Sequence, residues 1–184
     1  MPLSLTDIEG LFARHGAAQY SGEPVTQLEH ALQTALLAEE AGADDELVTA
    51  ALLHDLGHLL NDQGETPTLR GVDDVHQYFA LPFLRGVFGE RVLAAIQWHV
   101  DAKRYLCATR ADYWQRLSDD SKRSLELQGG IFSPAQAEAF IAQDHAADAV
   151  ALRLWDDQAK SPHRPTQPLA HYLGRAQRCM LAHT

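Results

Sequence analysis

At 184 residues, 46% hydrophobic and 22% charged, the chain suits one well-packed globular domain and is short for two. Its 25 acidic against 15 basic residues leave a net charge of −10, which argues against a nucleic-acid binder. No run nears the roughly 18 apolar residues that a membrane span needs, so no membrane partner is expected.

The N-terminus, Met1-Pro2-Leu3-Ser4-Leu5-Thr6-Asp7, lacks a basic-then-apolar signal pattern, and a cytoplasmic location is expected. Leu28, Ala31, Leu32, Ala35 and Leu36 recur at three- and four-residue steps, which predicts a helix over 26–41. Thr26 with Glu29 has the form of a capping box, and Gly42 ends the helix. A second helix is predicted over 44–60 with Asp44 as its cap, and 61–67 reads as a loop. Further helices are expected at 73–86, 89–102, 119–127, 134–142, 145–160 and 168–182, with Ser133-Pro134 and Gln167-Pro168 as starts. Residues 161–165 form a turn too short to separate domains, and no alternating strand pattern or internal repeat is present. The fold class is all-α, one domain over 1–184. The two cysteines, Cys107 and Cys179, have no CxxC spacing, so neither a thiolate zinc site nor a disulfide framework is expected.

The informative segment is Ala50-Ala51-Leu52-Leu53-His54-Asp55-Leu56-Gly57-His58. Burying an ionised carboxylate costs several kcal/mol unless it is paired or metal-bound, so Asp55 in this apolar run points to a cation. His54 and His58, four residues apart, share a helix face, and Asp55 is rotated by about 100° from His54, close enough to reach the same ion. His30, His76, His99 and Asp156 could complete the site. Six ligands with a bridging carboxylate would suit a dinuclear centre. Imidazole and carboxylate without thiolate favour iron, manganese or zinc over copper(I) or a cluster. Taken singly, each histidine would be read as a hydrogen-bonded helix residue and Asp156 as a cap; the combination carries the assignment. His15, His145, His163, His171 and His183 lack that context.

Several strings narrow the chemistry: Tyr20-Ser21-Gly22-Glu23, Gln27-Leu28-Glu29-His30, Leu53-His54-Asp55-Leu56-Gly57-His58, His99-Val100-Asp101-Ala102-Lys103-Arg104-Tyr105-Leu106, Leu125-Glu126-Leu127-Gln128-Gly129-Gly130 and Leu154-Trp155-Asp156-Asp157-Gln158-Ala159-Lys160. Together, over about 20–160, they resemble the PhnZ/TmpB-type mixed-valent di-iron oxygenases of the HD-domain class, which cleave the C–P bond of 1-hydroxy-2-aminoethylphosphonates. The same iron chemistry occurs in the more distant myo-inositol oxygenases. The resemblance implies an HD-domain helical bundle whose metal-binding core is 20–160. It implies a first iron on His30, His54, Asp55 and Asp156, and a second on Asp55, His76 and His99. Spacing does not choose between Asp156 and Asp157; the family string selects Asp156.

By the same resemblance, Tyr20 covers the first iron until substrate binds, and Glu23 moves with it toward the substrate's cationic nitrogen. His58 and Lys103, with Ser121 and Arg153, would receive the phosphonate. The implied cofactors are two iron ions, Fe(II)/Fe(III), with O2 as co-substrate. The implied partner is a small zwitterionic phosphonate, supplied by a 2-oxoglutarate-dependent hydroxylase. Products would be phosphate and either glycine or, from a trimethylammonium substrate, glycine betaine. Lys103 and Glu23 also make sense unaided: a phosphonate favours charge-assisted hydrogen bonds from cations, and an ammonium needs an anion. Trp98, Trp114, Tyr78 and Tyr105 are available for an aromatic cage around a quaternary ammonium. The alternatives are a metal-dependent HD phosphohydrolase, in which a metal-bound hydroxide attacks a phosphate ester, and a catalytically silent ligand-binding HD domain.

Overall fold

A computed structural model describes residues 1–20, 22–61, 67–73 and 75–182. Most of the loop expected at 61–67, His183 and Ser21 therefore lie outside the described residues. Among those residues the chain is helical, with only isolated β-bridges. The helices are α1 (Leu5–His15), α2 (Gln27–Glu40), α3 (Asp45–Leu53), α4 (Leu56–Leu60), α5 (His76–Phe79) and α6 (Leu81–Leu84). They continue with α7 (Glu90–Thr109), α8 (Tyr113–Arg116), α9 (Asp119–Leu127), α10 (Pro134–Ile141), α11 (Ala146–Gln158) and α12 (Leu169–Arg178).

The centre of the bundle is α3. Every residue from Leu47 to Leu53 is buried, as expected of a helix apolar on all sides. It packs against α2, α7, α11 and α12, and α11 lies along α7 and α2. A helix so enclosed delivers the residues beyond its C-terminus, His54 and Asp55, into the interior.

Four expectations change. The helix expected over 44–60 breaks at His54-Asp55, where Asp55 leaves helical geometry with φ −103 and ψ 13. That break aims two consecutive side chains into one site, which an unbroken helix would have splayed. The helix expected over 73–86 is two short pieces, α5 and α6, set off by Val75 in the left-handed region. The helix expected to end near 102 runs to Thr109, because Ala102, Lys103 and Leu106 continue its buried stripe. The N-terminal helix α1 is additional to the expected set; Ser4 and Asp7 form a capping box before buried Ile8, Leu11 and Phe12. The Thr26–Glu29 capping box and the Ser133-Pro134 start are as expected.

Two polar devices hold the frame. Buried Gln33 forms a two-way amide clamp, donating to the Ser161 carbonyl at 2.8 Å and accepting from its N–H at 3.1 Å. This fixes the segment after α11 against α2. Arg175 bonds Asp45 at 2.6 Å and Glu39 at 2.7 Å, tying α12 to the start of α3 and the end of α2.

Candidate metal centre

Five elements supply the histidines and carboxylates. His30 comes from α2, His54 and Asp55 from the α3–α4 break, His76 from the first residue of α5, His99 from mid α7, and Asp156 from α11. All six are buried. Three of the rings are oriented by backbone carbonyls: His30 Nδ1–H donates to Ala159 at 2.9 Å, His54 to Ala51 at 2.8 Å and His99 to Ile96 at 2.6 Å. Each bond occupies Nδ1 and turns Nε2 inward, the nitrogen then available to a metal. Gln33's clamp therefore also serves His30, because it holds the chain next to Ala159.

The inward atoms fall into two groups around Asp55. Its Oδ2 lies 3.4 Å from His30 Nε2 and 3.3 Å from His54 Nε2. Asp156 Oδ1 joins that group, 3.3 Å from His30 Nε2. Asp55 Oδ1 points the other way, 3.3 Å from His76 Nε2 and 3.6 Å from His99 Nε2. The two pairs of imidazole nitrogens face each other at 3.2 Å (His30, His54) and 3.1 Å (His76, His99).

Such geometry sets acceptor against acceptor, which is repulsive unless a proton or cation lies between. Asp55 Oδ2 and Asp156 Oδ1 are buried without any hydrogen-bond partner. Ligands held about 2.1 Å from one ion at right angles stand about 3.0 Å apart, close to the spacings within each group. The residues present therefore fit a metal centre, with donors gathered on both sides of Asp55. Electrostatics agrees. Burial opposes charge on His30, but the Asp156 and Asp55 carboxylates beside it override that and raise its pKa to about 9, so in the metal-free protein a proton takes the place of a cation there. Burial opposes ionisation of Asp55 too, yet the neighbouring histidines hold its carboxyl well below the ordinary range. His99 is pushed well down by burial and by His54 and His76, and so stays neutral, the form that ligates.

Asp156 and Asp157 separate cleanly. Asp156 sends Oδ1 into the first group and Oδ2 to Arg153 at 2.9 Å. Asp157 turns away to bond Arg153 and the Tyr113 hydroxyl.

A small cavity of about 50 Å³ adjoins the two groups, lined in part by Tyr20, His58, Lys103, Ser121, Arg153 and Gln128. Tyr20 stacks on His30 with ring centroids 3.9 Å apart and lines the cavity together with Asp55. Burial and then the charges of Asp55 and Asp156 push its phenol well up, so it stays protonated. His58 stacks on His76 at 4.2 Å, with Nε2 3.8 Å from Asp55 Oδ1. That places it beside the second group as well as in the cavity wall. Arg153 is buried with donors engaged by Asp156 and Asp157 and by Ser121 Oγ at 3.5 Å. Lys103 is buried in the cavity wall, bonding Ser124 Oγ at 2.6 Å and the Ser121 carbonyl at 3.3 Å.

Glu23 is held by an ion pair outside the cavity lining, its carboxylate against Lys160 Nζ at 2.8 Å. The aromatic cage does not form. Among the described residues Trp98, Trp114, Tyr78 and Tyr105 are all absent from the cavity lining, and Trp114 and Tyr78 are exposed. Trp98 and Tyr105 pack instead against a secondary core cluster around Ala102 and Phe140. Sequence reasoning does not single out Gln128, Ser124 or Lys160. The first has a buried side-chain oxygen without a partner in the cavity wall. Gln128 and Lys160 stand inside informative motif strings, but a residue whose contacts are unknown carries no signal of its own.

Burial, then Arg153, lowers the Lys103 pKa to about 7. An unfolded lysine stays protonated to about pH 10.4, so Lys103 destabilises the fold fully below pH 7 and progressively less as pH rises from 7 toward 10.4. Lys103→Met is therefore expected to raise unfolding free energy at pH 6 by about 3–5 kcal/mol, with the gain shrinking at pH 9. Denaturant titrations at both pH values check it; a loss of stability at pH 6 would overturn this reading of Lys103.

A family model described as "HD domain" matches residues 28–128. The chain is 36% identical to "[1-hydroxy-2-(trimethylamino)ethyl]phosphonate dioxygenase (glycine-betaine-forming)" of Leisingera caerulea, over 96% of this chain and 90% of that protein. It is 42% identical to "Hydroxymethylphosphonate dioxygenase" of Gimesia maris, over 96% and 88%. It is also 33% identical to "Uncharacterized protein L432" of Acanthamoeba polyphaga mimivirus, over 92% and 78%. No helix of the described residues is long and apolar enough to cross a membrane. The family model covers more than half of the chain, and the chain belongs to the HD-domain family.

Proposed function

We propose that this HD-domain oxygenase oxidatively cleaves the C–P bond of a small hydroxyphosphonate, a 1-hydroxy-2-(amino or trimethylammonio)ethylphosphonate, using O2. The names of two relatives support phosphonate oxidation, and one of them adds hydroxymethylphosphonate as a third candidate. The observation that carries the reading is the split of Asp55's two oxygens between two histidine groups beside a cationic wall. His30, His54, Asp55 and Asp156 would hold one ion and Asp55, His76 and His99 the other. Bound as Fe(II)/Fe(III), the pair would supply oxygen activation and the one-electron steps of the chemistry.

The chain's own residues would do the rest. Lys103, with Ser121 and Arg153, binds the phosphonate oxygens by charge-assisted hydrogen bonds. His58, over His76, borders the same position. Tyr20 fills the space beside His30 and forms part of the cavity wall, the position from which it would move aside as substrate binds. Oxidation of the phosphorus-bearing carbon by one O2 yields a carboxylate and phosphate. The substrate's hydroxyl implies a preceding hydroxylation at the carbon next to phosphorus, the kind of step a 2-oxoglutarate-dependent hydroxylase performs.

The test gives the iron-loaded protein each of the three hydroxyphosphonates, with and without air, and measures phosphate. Phosphate is expected from at least one of them in air and from none anaerobically. Release without oxygen would indicate hydrolysis by a metal-bound hydroxide, and absence of phosphate from all three in air would end the lyase reading.

A further inference from the structure

The cationic end of an amino- or trimethylammonio-substituted hydroxyphosphonate needs an anion near the cavity, and Glu23 adjoins it through its backbone bond to the cavity-lining Tyr20. Its carboxylate is held at 2.8 Å by Lys160 Nζ, with both side chains largely buried, 12% and 14% exposed. Lys160 also bonds Ser118 Oγ at 3.3 Å, the cap of α9, whose Ser121 lines the cavity. The ammonium lies 5.9 Å from the Tyr20 ring centroid, and Tyr20 forms the cavity wall over His30. The acids that do line the cavity outside the metal-ligand set are engaged: Asp73 accepts from the Val75 N–H at 3.2 Å, and Asp120 bonds Thr68 and Arg123. Glu23 is backed by its own turn, its N–H donating to the Tyr20 carbonyl at 2.7 Å. It is thus an anion beside the site whose charge is already matched from within the chain.

We propose that Lys160 is a specificity-determining residue, a resident cation that a substrate's ammonium must displace from Glu23. This rests on the phosphonate-oxygenase reading. A primary or quaternary ammonium reaching Glu23 must exchange for Lys160, and the lost ion pair offsets the new one. A hydroxyphosphonate without a cationic nitrogen, such as hydroxymethylphosphonate, leaves the pair in place. Lys160 therefore biases the site against cationic substrates, by an amount its removal would reveal.

The experiment measures anaerobic binding to the iron-loaded protein by calorimetry, using 1-hydroxy-2-(trimethylammonio)ethylphosphonate and hydroxymethylphosphonate. In Lys160→Met the ratio of the two dissociation constants is expected to shift about fivefold toward the cationic ligand, the factor of one modest ion pair. Lys160→Arg should restore the wild-type ratio. Glu23→Gln combined with Lys160→Met should show no shift relative to Glu23→Gln alone, since the anion for which the two cations compete is gone. Metal-free protein gives an independent readout: hydrogen exchange at the Glu23 amide should quicken in Lys160→Met and not in Lys160→Arg. An unchanged ratio, or equal weakening toward both ligands, would overturn the role of Lys160 while leaving the phosphonate reading intact. Failure of wild-type protein to bind either ligand would count against that reading itself.

Discussion

Asp55→Ala is expected to strip both ions from the protein. On the proposed di-iron reading, iron per chain falls from two to near zero, and phosphate release falls to background. The reason is positional. Asp55 is the one residue whose two oxygens serve different histidine pairs, Oδ2 toward His30 and His54 and Oδ1 toward His76 and His99. Without it the first group keeps one carboxylate, Asp156, and the second keeps imidazoles alone. Two clustered cations would then lack the shared anion that screens their repulsion. His76→Ala, by contrast, removes a ligand from one group and should leave close to one ion. Thermal unfolding with and without added Fe(II) separates loss of metal from loss of fold. An ion at 100 times its Kd stabilises by about 2.7 kcal/mol, and the Asp55→Ala variant should show no metal-dependent shift while keeping its helical circular dichroism. Asp55→Asn, of equal size, controls for the cavity left by alanine. Full iron content in Asp55→Ala would contradict the two-ion arrangement.

How much of the site is legible in the sequence depends on where the information resides. A carboxylate in an apolar helix is a local anomaly, and His54-Asp55 announces the site without help from distant sequence. Capping boxes are local too, so α2 emerges with its boundaries; α1 carries the same signal in a less obvious form, because its cap uses Asp7 in place of Glu. The break between α3 and α4 is invisible because the apolar periodicity runs straight through it. Only the tertiary demand to turn His54 and Asp55 toward one centre ends the helix there. Asp156 and Asp157 are adjacent acids of the same type, and only Arg153, one helical turn away and reaching both, shows how they divide the work. Glu23 is recognisable as an anion near the site, but its partner Lys160 is 137 positions away, beyond any pattern rule. Long-range pairs of this kind are what a sequence read alone withholds.

Gly57→Ala should cost the protein the ion proposed at His76 and His99 and much of its stability. A Cβ built on Gly57 would stand 2.1 Å from the His76 carbonyl oxygen and 2.8 Å from the carbon behind it. Both are backbone atoms, so no rotamer change relieves the clash. The four-residue helix α5 cannot simply retreat. It begins after Val75, a β-branched residue already held in the left-handed region at φ 46, and runs into α6, whose Leu81 and Leu84 are buried. Either α4 or α5 must therefore shift, and His76 Nε2 loses its present 3.3 Å approach to Asp55 Oδ1 and 3.1 Å approach to His99. Overpacking of this kind costs about 1–3 kcal/mol, so the metal-free variant should unfold at lower denaturant than wild type. Iron analysis should return one ion per chain with His30, His54, Asp55 and Asp156 still serving it, and O2-dependent phosphate release should be lost. His76→Ala supplies the comparison: the same iron count, without the strain. A Gly57→Ala variant that kept two ions and wild-type stability would mean that α4 and α5 are not locked together at this contact. The glycine's place in the His54–His58 segment would then have to rest on something other than the seating of His76.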